Sequence, residues 1–107
     1  MQTQANAVCA FKDGTLRVAV LGEIDHHSVR SVREEIDASL YLYQPSRVRL
    51  DLSDMRFMDS SGLGFIVGRL EIARTLGASL EIAGASERVK KIFEMAGLLR
   101  IEGLTVL

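Results

Sequence analysis

Val48-Arg49-Leu50-Asp51-Leu52, followed a few residues later by Met58-Asp59-Ser60-Ser61-Gly62-Leu63-Gly64, carries the chain from a strand into a helix. Apolar residues at 48, 50 and 52 have the two-residue period of a half-buried strand. Asp59 and two serines then stand where a helical pattern begins. A helix start has unsatisfied N–H groups and a partial positive charge, so it favours Asp or Ser caps and tolerates phosphate. Gly62 and Gly64 remove side chains there and let another backbone approach closely. Two readings stand side by side: a serine exposed to a partner, or an ordinary helix cap.

Outward from this stretch, apolar runs at Ala7 to Phe11 and Leu16 to Leu21 flank Lys12-Asp13-Gly14-Thr15, a hairpin signal. Gly22 is expected to end the second strand. Val29, Val32, Ile36 and Leu40 repeat at helical spacing from Ser28 to Leu42, and Pro45 stops that helix. The helix after Ser60 runs from Ser61 to Leu76, with Leu63, Ile66, Val67, Leu70 and Ala73 as its buried stripe and Gly77 beyond its end. Gly64 and Gly68 share a face of it and predict a close approach to a neighbouring element. Leu80 and Ile82 suggest a strand ended by Gly84. Ser86 caps a third helix carrying Val89, Ile92, Phe93 and Ala96, closed by Gly97. The tail from Leu98 to Leu107 offers only apolarity. The order is β-β-α-β-α-β-α, an α/β domain over residues 1–107 with a mixed sheet of four to five strands and helices mainly on one face.

Composition excludes several classes. A chain of 107 residues with 48% hydrophobic residues is long enough for one core without disulfides or metals. A formal charge of −1, no basic block and few aromatics give nucleic acid no electrostatic footprint. Cys9 stands alone and fits a reducing cytosol. Met1 to Asn6 lacks the basic start and apolar run of a signal peptide, and Arg69 interrupts the most apolar stretch, so no membrane span is expected. A cytoplasmic location follows as an expectation.

Three constellations invite chemistry. Gly62-Leu63-Gly64-Phe65-Ile66-Val67-Gly68 has its third glycine one residue late for a dinucleotide fingerprint, and nine residues separate Leu52 from Gly62 where a tight turn is needed. Asp51 or Asp54 after the third strand is placed like a receiver phosphoacceptor, but the acidic pair that holds magnesium and the late lysine are missing. Asp25-His26-His27 with Ser60 suggests a hydrolase, yet consecutive side chains diverge and no nucleophile elbow is present. The same divergence makes His26 and His27 poor metal ligands. Glu87-Arg88-Val89-Lys90-Lys91 reads as a solvated helix face.

Gly22-Glu23-Ile24-Asp25-His26-His27 and Phe57-Met58-Asp59-Ser60-Ser61-Gly62-Leu63-Gly64, with Gly68-Arg69 after them, resemble the anti-sigma factor antagonists of the sporulation type, which are single STAS domains. Phe93-Glu94-Met95-Ala96-Gly97-Leu98 matches the late-helix pattern of that family. The likeness spans Leu16 to Leu99. The family usually ends in a further helix, and Thr105-Val106-Leu107 stops before one. The resemblance implies a non-enzymatic, monomeric partner switch. The unphosphorylated form binds an anti-sigma factor that is a serine kinase and frees the sigma factor. Phosphorylation of Ser60 releases the kinase, and a serine phosphatase resets the switch. Asp25, Asp59, Ser61, Gly62 and Leu63 are implied as partner contacts. No cofactor is implied for this chain, since ATP and ADP belong to the kinase. A receiver using Asp51 and a generic STAS signalling module are the alternatives.

Overall fold

The structure is a computed structural model and describes residues 5–107; Met1 to Gln4, part of the stretch read for a signal peptide, lie outside the described residues. The elements are β1 (Ala5–Lys12), β2 (Thr15–Ile24), α1 (Val29–Tyr43), β3 (Arg47–Asp51), β4 (Met55–Met58), α2 (Ser61–Thr75), β5 (Ser79–Ala83), α3 (Glu87–Met95) and β6 (Leu104–Val106), with a 3₁₀ turn at Leu98–Arg100. They form one mixed sheet in the order β1-β2-β3-β5-β6, with β4 also paired to β2. Among the described residues only β1 runs antiparallel to its neighbour.

Alternation along the strands decides which face is covered. Leu16, Val18 and Val20 of β2, Val48 and Leu50 of β3, and Leu80 and Ile82 of β5 are buried. They meet Val32, Ile36 and Leu40 of α1, Phe65, Ile66, Leu70 and Ala73 of α2, and Val89 and Phe93 of α3 in one core. The helices therefore lie on one face, as the apolar pattern predicts.

Four local expectations are corrected. Gly22 does not end β2: at φ +92° it sits beside a register shift, and the strand continues to Ile24. The extra residue of this bulge is Arg56 of β4, and the left-handed Gly22 stands opposite Met55, where β2, past its pairing with β3, takes up β4. The nine-residue gap after Leu52 holds the unpredicted β4, and the tail adds β6 as a parallel edge strand against β5. Gly64 and Gly68 face open space, because a Cβ on either meets nothing within 4 Å. Finally, the buried stripe of α2 is rotated: Phe65 and Arg69 are inside, whereas Leu63 and Val67 are half-buried.

Arg69 is the exceptional core residue, 4% exposed. Its Nη2 donates to Asp37 Oδ2 of α1 at 3.1 Å. Its Nε lies 2.7 Å from Asp37 Oδ1 but off the hydrogen-bonding line, so this contact is Coulombic. The guanidinium also lies over the Phe65 ring, 5.5 Å from its centre. Burial pushes the Asp37 pKa up even though Arg69 pulls it down, and burial lowers that of Arg69. The pair ties α2 to α1, and removing one partner strands a charge in the interface.

Asp37→Leu alone is expected to cost about 3 kcal/mol of stability, because Arg69 then stays buried without its counter-charge. The double change Asp37→Leu with Arg69→Met is expected to recover most of that loss. Urea unfolding of the three proteins measures both effects, and equal losses in the single and double variants would refute the charge argument.

Candidate functional site

β2 and β4 run parallel, with Ile24 registered against Met58, and the amide of Asp59 donates to the carbonyl of Ile24 at 3.1 Å. The next residues along the two strands are Asp25 and Asp59. Neighbouring strands lie about 4.8 Å apart, so the two acidic turns leave the sheet side by side at its C-terminal edge.

Both turns are helix starts with the same chemistry. Asp25 Oδ1 accepts from the amides of His27 and Ser28, each at 2.9 Å. Ser28 Oγ accepts in return from the Asp25 amide at 3.1 Å and donates to the Glu23 carbonyl at 2.6 Å. This reciprocal pair is a capping box one turn before α1. Asp25 thus caps the turn that leads into α1, and Ser28, 6% exposed, is a site residue that the sequence did not single out. At the other turn, Asp59 Oδ1 accepts from the amide of Ser61 at 2.8 Å and from its hydroxyl.

The two serines thereby part company. Ser61 is half-buried and its hydroxyl is committed to Asp59. Ser60 is exposed, and its side chain makes no capping bond at the start of α2 and no other hydrogen bond among the described residues. Asp59 caps the helix, so Ser60 is left for something else. Gly62 is buried beneath Met58: a Cβ there would lie 2.1 Å from Met58 Cγ and Sδ. Its place in the motif is to make room for that side chain. Leu63, half-buried, packs at the edge of the core one turn along.

Other candidates fall apart spatially. His26 and His27 are exposed with ring centres 3.9 Å apart, and no group of three or more His, Cys, Asp or Glu fit to hold a metal occurs among the described residues. Asp51 accepts from the amide and hydroxyl of Ser53, which hold its carboxyl below the usual carboxylate range. Beside the Ser60 turn, a cavity of 110 Å³ opens between β4 and α3, with Phe57, Ile92, Arg56 and Arg88 among its lining residues. No helix among the described residues is long and apolar enough to cross a membrane.

Residues 6–106 match the family model of the STAS domain. The chain is 35% identical over 88 residues to the anti-sigma F factor antagonist of Paenibacillus polymyxa, covering 82% of this chain and 75% of that one. It is 34% identical over 86 residues to the anti-sigma-B factor antagonist of Bacillus subtilis, covering 80% and 77%. Its fold is similar to that of the anti-sigma factor antagonist SpoIIAA of Bacillus. The unphosphorylated form superposes with a TM-score of 0.72 at 22% identity, covering 94% of this chain and 86% of that one. The phosphorylated form gives 0.71 at 22% identity, covering 94% and 90%.

Two substitutions test how the site is built. Gly62→Ala is expected to cost about 1–3 kcal/mol through overpacking against Met58, and Met58→Ala in the same chain should relieve part of that cost. Asp25→Ala is expected to cost about 1 kcal/mol, comparable with the loss of an N-cap, because the His27 and Ser28 amides lose their acceptor. Thermal unfolding reads both, and an unchanged midpoint for Asp25→Ala would remove it from the capping role.

Proposed function

The chain belongs to the STAS domain family, and on that premise we propose that it is an anti-sigma factor antagonist whose kinase affinity is switched by phosphate on Ser60. As a member of that family's antagonists it is a regulatory protein rather than an enzyme. The observation that carries the reading is the division of labour between the serines: Asp59 and Ser61 complete the helix start, and Ser60 keeps an uncommitted, exposed hydroxyl.

In this reading the unphosphorylated chain binds an anti-sigma factor that is a serine kinase, and the sigma factor is set free. The kinase supplies ATP and transfers the γ-phosphoryl group to Ser60 Oγ, whose proton goes to a base of the kinase; ADP leaves. A serine phosphatase returns the hydroxyl. Asp25, Asp59, Ser61, Gly62 and Leu63 surround the acceptor: the two carboxylates face the partner, Ser61 and Gly62 fix the turn, and Leu63 adds apolar contact. The groove beside Phe57 extends the same surface.

Physical magnitudes explain why such a switch acts on binding and spares the fold. A phosphate brings about −1.5 to −2 charges to the first turn of α2, where the helix field favours an anion by about 0.3–1 kcal/mol. Two like charges about 6 Å apart repel by about 2–3 kcal/mol at an effective dielectric near 20, and Asp25 and Asp59 both border the turn. Enclosing an unpaired dianion under a partner costs several kcal/mol more. At about 1.4 kcal/mol per factor of ten, the affinity falls at least about a hundredfold.

Intact-mass measurement after incubation with the kinase and ATP is expected to show one phosphate, mapped to Ser60 and absent in Ser60→Ala. A phosphate on Ser61 would overturn the assignment. Ser60→Asp, which adds charge with little volume, should lose far more affinity for the kinase than Ser60→Val, and added salt should restore only part of that loss. Equal losses in calorimetry would replace repulsion by steric exclusion.

A further inference from the structure

Away from the helices, the sheet presents a second face that the switch does not use. Across β1, β2 and β3 this face carries Val8 opposite Ala19, Ala10 opposite Arg17, and Arg17 opposite Arg49. Val8 is 57% exposed, and Ala10 and Arg17 are exposed as well. Val8, Ala10, Arg17, Ala19, Arg49 and Asp51 line a concavity of 290 Å³, close to the lower bound for small-molecule sites of about 300 Å³.

Two guanidiniums, Arg17 and Arg49, and one carboxylate, Asp51, line this concavity. Like charges directly opposite each other on neighbouring strands repel. Arg49 is neutralised by Glu81 on its other side. Asp51, one step along the strands and opposite Ala19, takes the amide and the hydroxyl of Ser53 and stays charged. Arg17 has an alanine on one flank and a second guanidinium on the other, and no acidic partner among the described residues. Lys12 and Arg47 continue the basic row below it, both opposite Thr15, in a chain whose net charge is −1. A planar guanidinium over a floor of small apolar side chains matches a carboxylate or phosphate monoester attached to an apolar body.

We propose that this open sheet face is a second binding site, for a small amphipathic anion whose charged end is held by Arg17 and whose apolar body lies on Val8, Ala10 and Ala19. The site is at a distance from Ser60 in the fold, on the opposite side of the sheet from α2, and does not depend on the kinase reading.

Amide chemical shifts of the full chain, titrated with 1-naphthoate, uncharged 1-naphthamide and inorganic phosphate, test it. Saturable shifts at Ala10 and Ala19 are expected with 1-naphthoate, with at least about tenfold weaker binding of the amide. Inorganic phosphate, which lacks the apolar body, should bind more weakly than naphthoate. Arg17→Gln, at an exposed position, should weaken naphthoate at least about tenfold, and Arg17→Lys should recover part of the loss. Naphthoate and naphthamide of equal affinity, wild-type binding by Arg17→Gln, phosphate as tight as naphthoate, or no saturation would each overturn the site.

Discussion

The parallel pairing of β2 with β4, closed by the hydrogen bond from the amide of Asp59 to the carbonyl of Ile24, brings the two acidic turns together at the edge of the sheet. It closes a four-residue strand, β4, onto the last turn of β2. β2 pairs with β3 up to Ala19 and with β4 from Gly22 onward, with Arg56 bulged out of β4. β4 takes the edge of β2 that β3 has left, so the turns of Asp25 and Ser60 leave the sheet together. The two acidic turns are neighbours because β2 serves two partners in succession along one edge.

Each turn spends its carboxylate on its own helix start. Asp25 with Ser28, and Asp59 with Ser61, satisfy backbone groups that a helix otherwise leaves open. Both turns are thus held in place before any partner arrives, and the Ser60 hydroxyl is surplus to the fold. A residue the fold does not need can be modified without unfolding it. The Arg69–Asp37 pair serves the same end from below, since it fixes α2 against α1 and gives the exposed serine a rigid mount.

The long elements were legible because each carries a clean period. Val32, Ile36 and Leu40 mark α1, while Val48 and Leu50 mark β3, and all of them are buried. β4 has no such period: of Met55-Arg56-Phe57-Met58 only Met58 is buried, so no alternation survives to be seen. The three-residue β6 does alternate, with Leu104 buried and Thr105 exposed, but it is too short for the period to stand out. On α2, Arg69 looked like a break in an apolar face because a charged residue is rarely buried; its counter-charge lies 32 positions earlier, on another helix. At the site, Asp59, Ser60 and Ser61 stood out from their order alone, but which serine is engaged rests on where Asp59 turns its oxygen.

By itself the sequence determined the class of the domain, the strand-to-helix junction at Asp59-Ser60-Ser61, and the family likeness of both acidic motifs. These are local properties, set by period, capping chemistry and residue order. Tertiary structure alone decided that the two motifs stand together, that Gly62 yields its space to Met58, and that Arg17 meets Arg49 on an uncovered face. Each of these depends on which strand pairs with which and in what register. Pairing joins residues far apart in the chain through backbone groups that are the same at almost every position, so the side-chain pattern of either strand alone does not encode it.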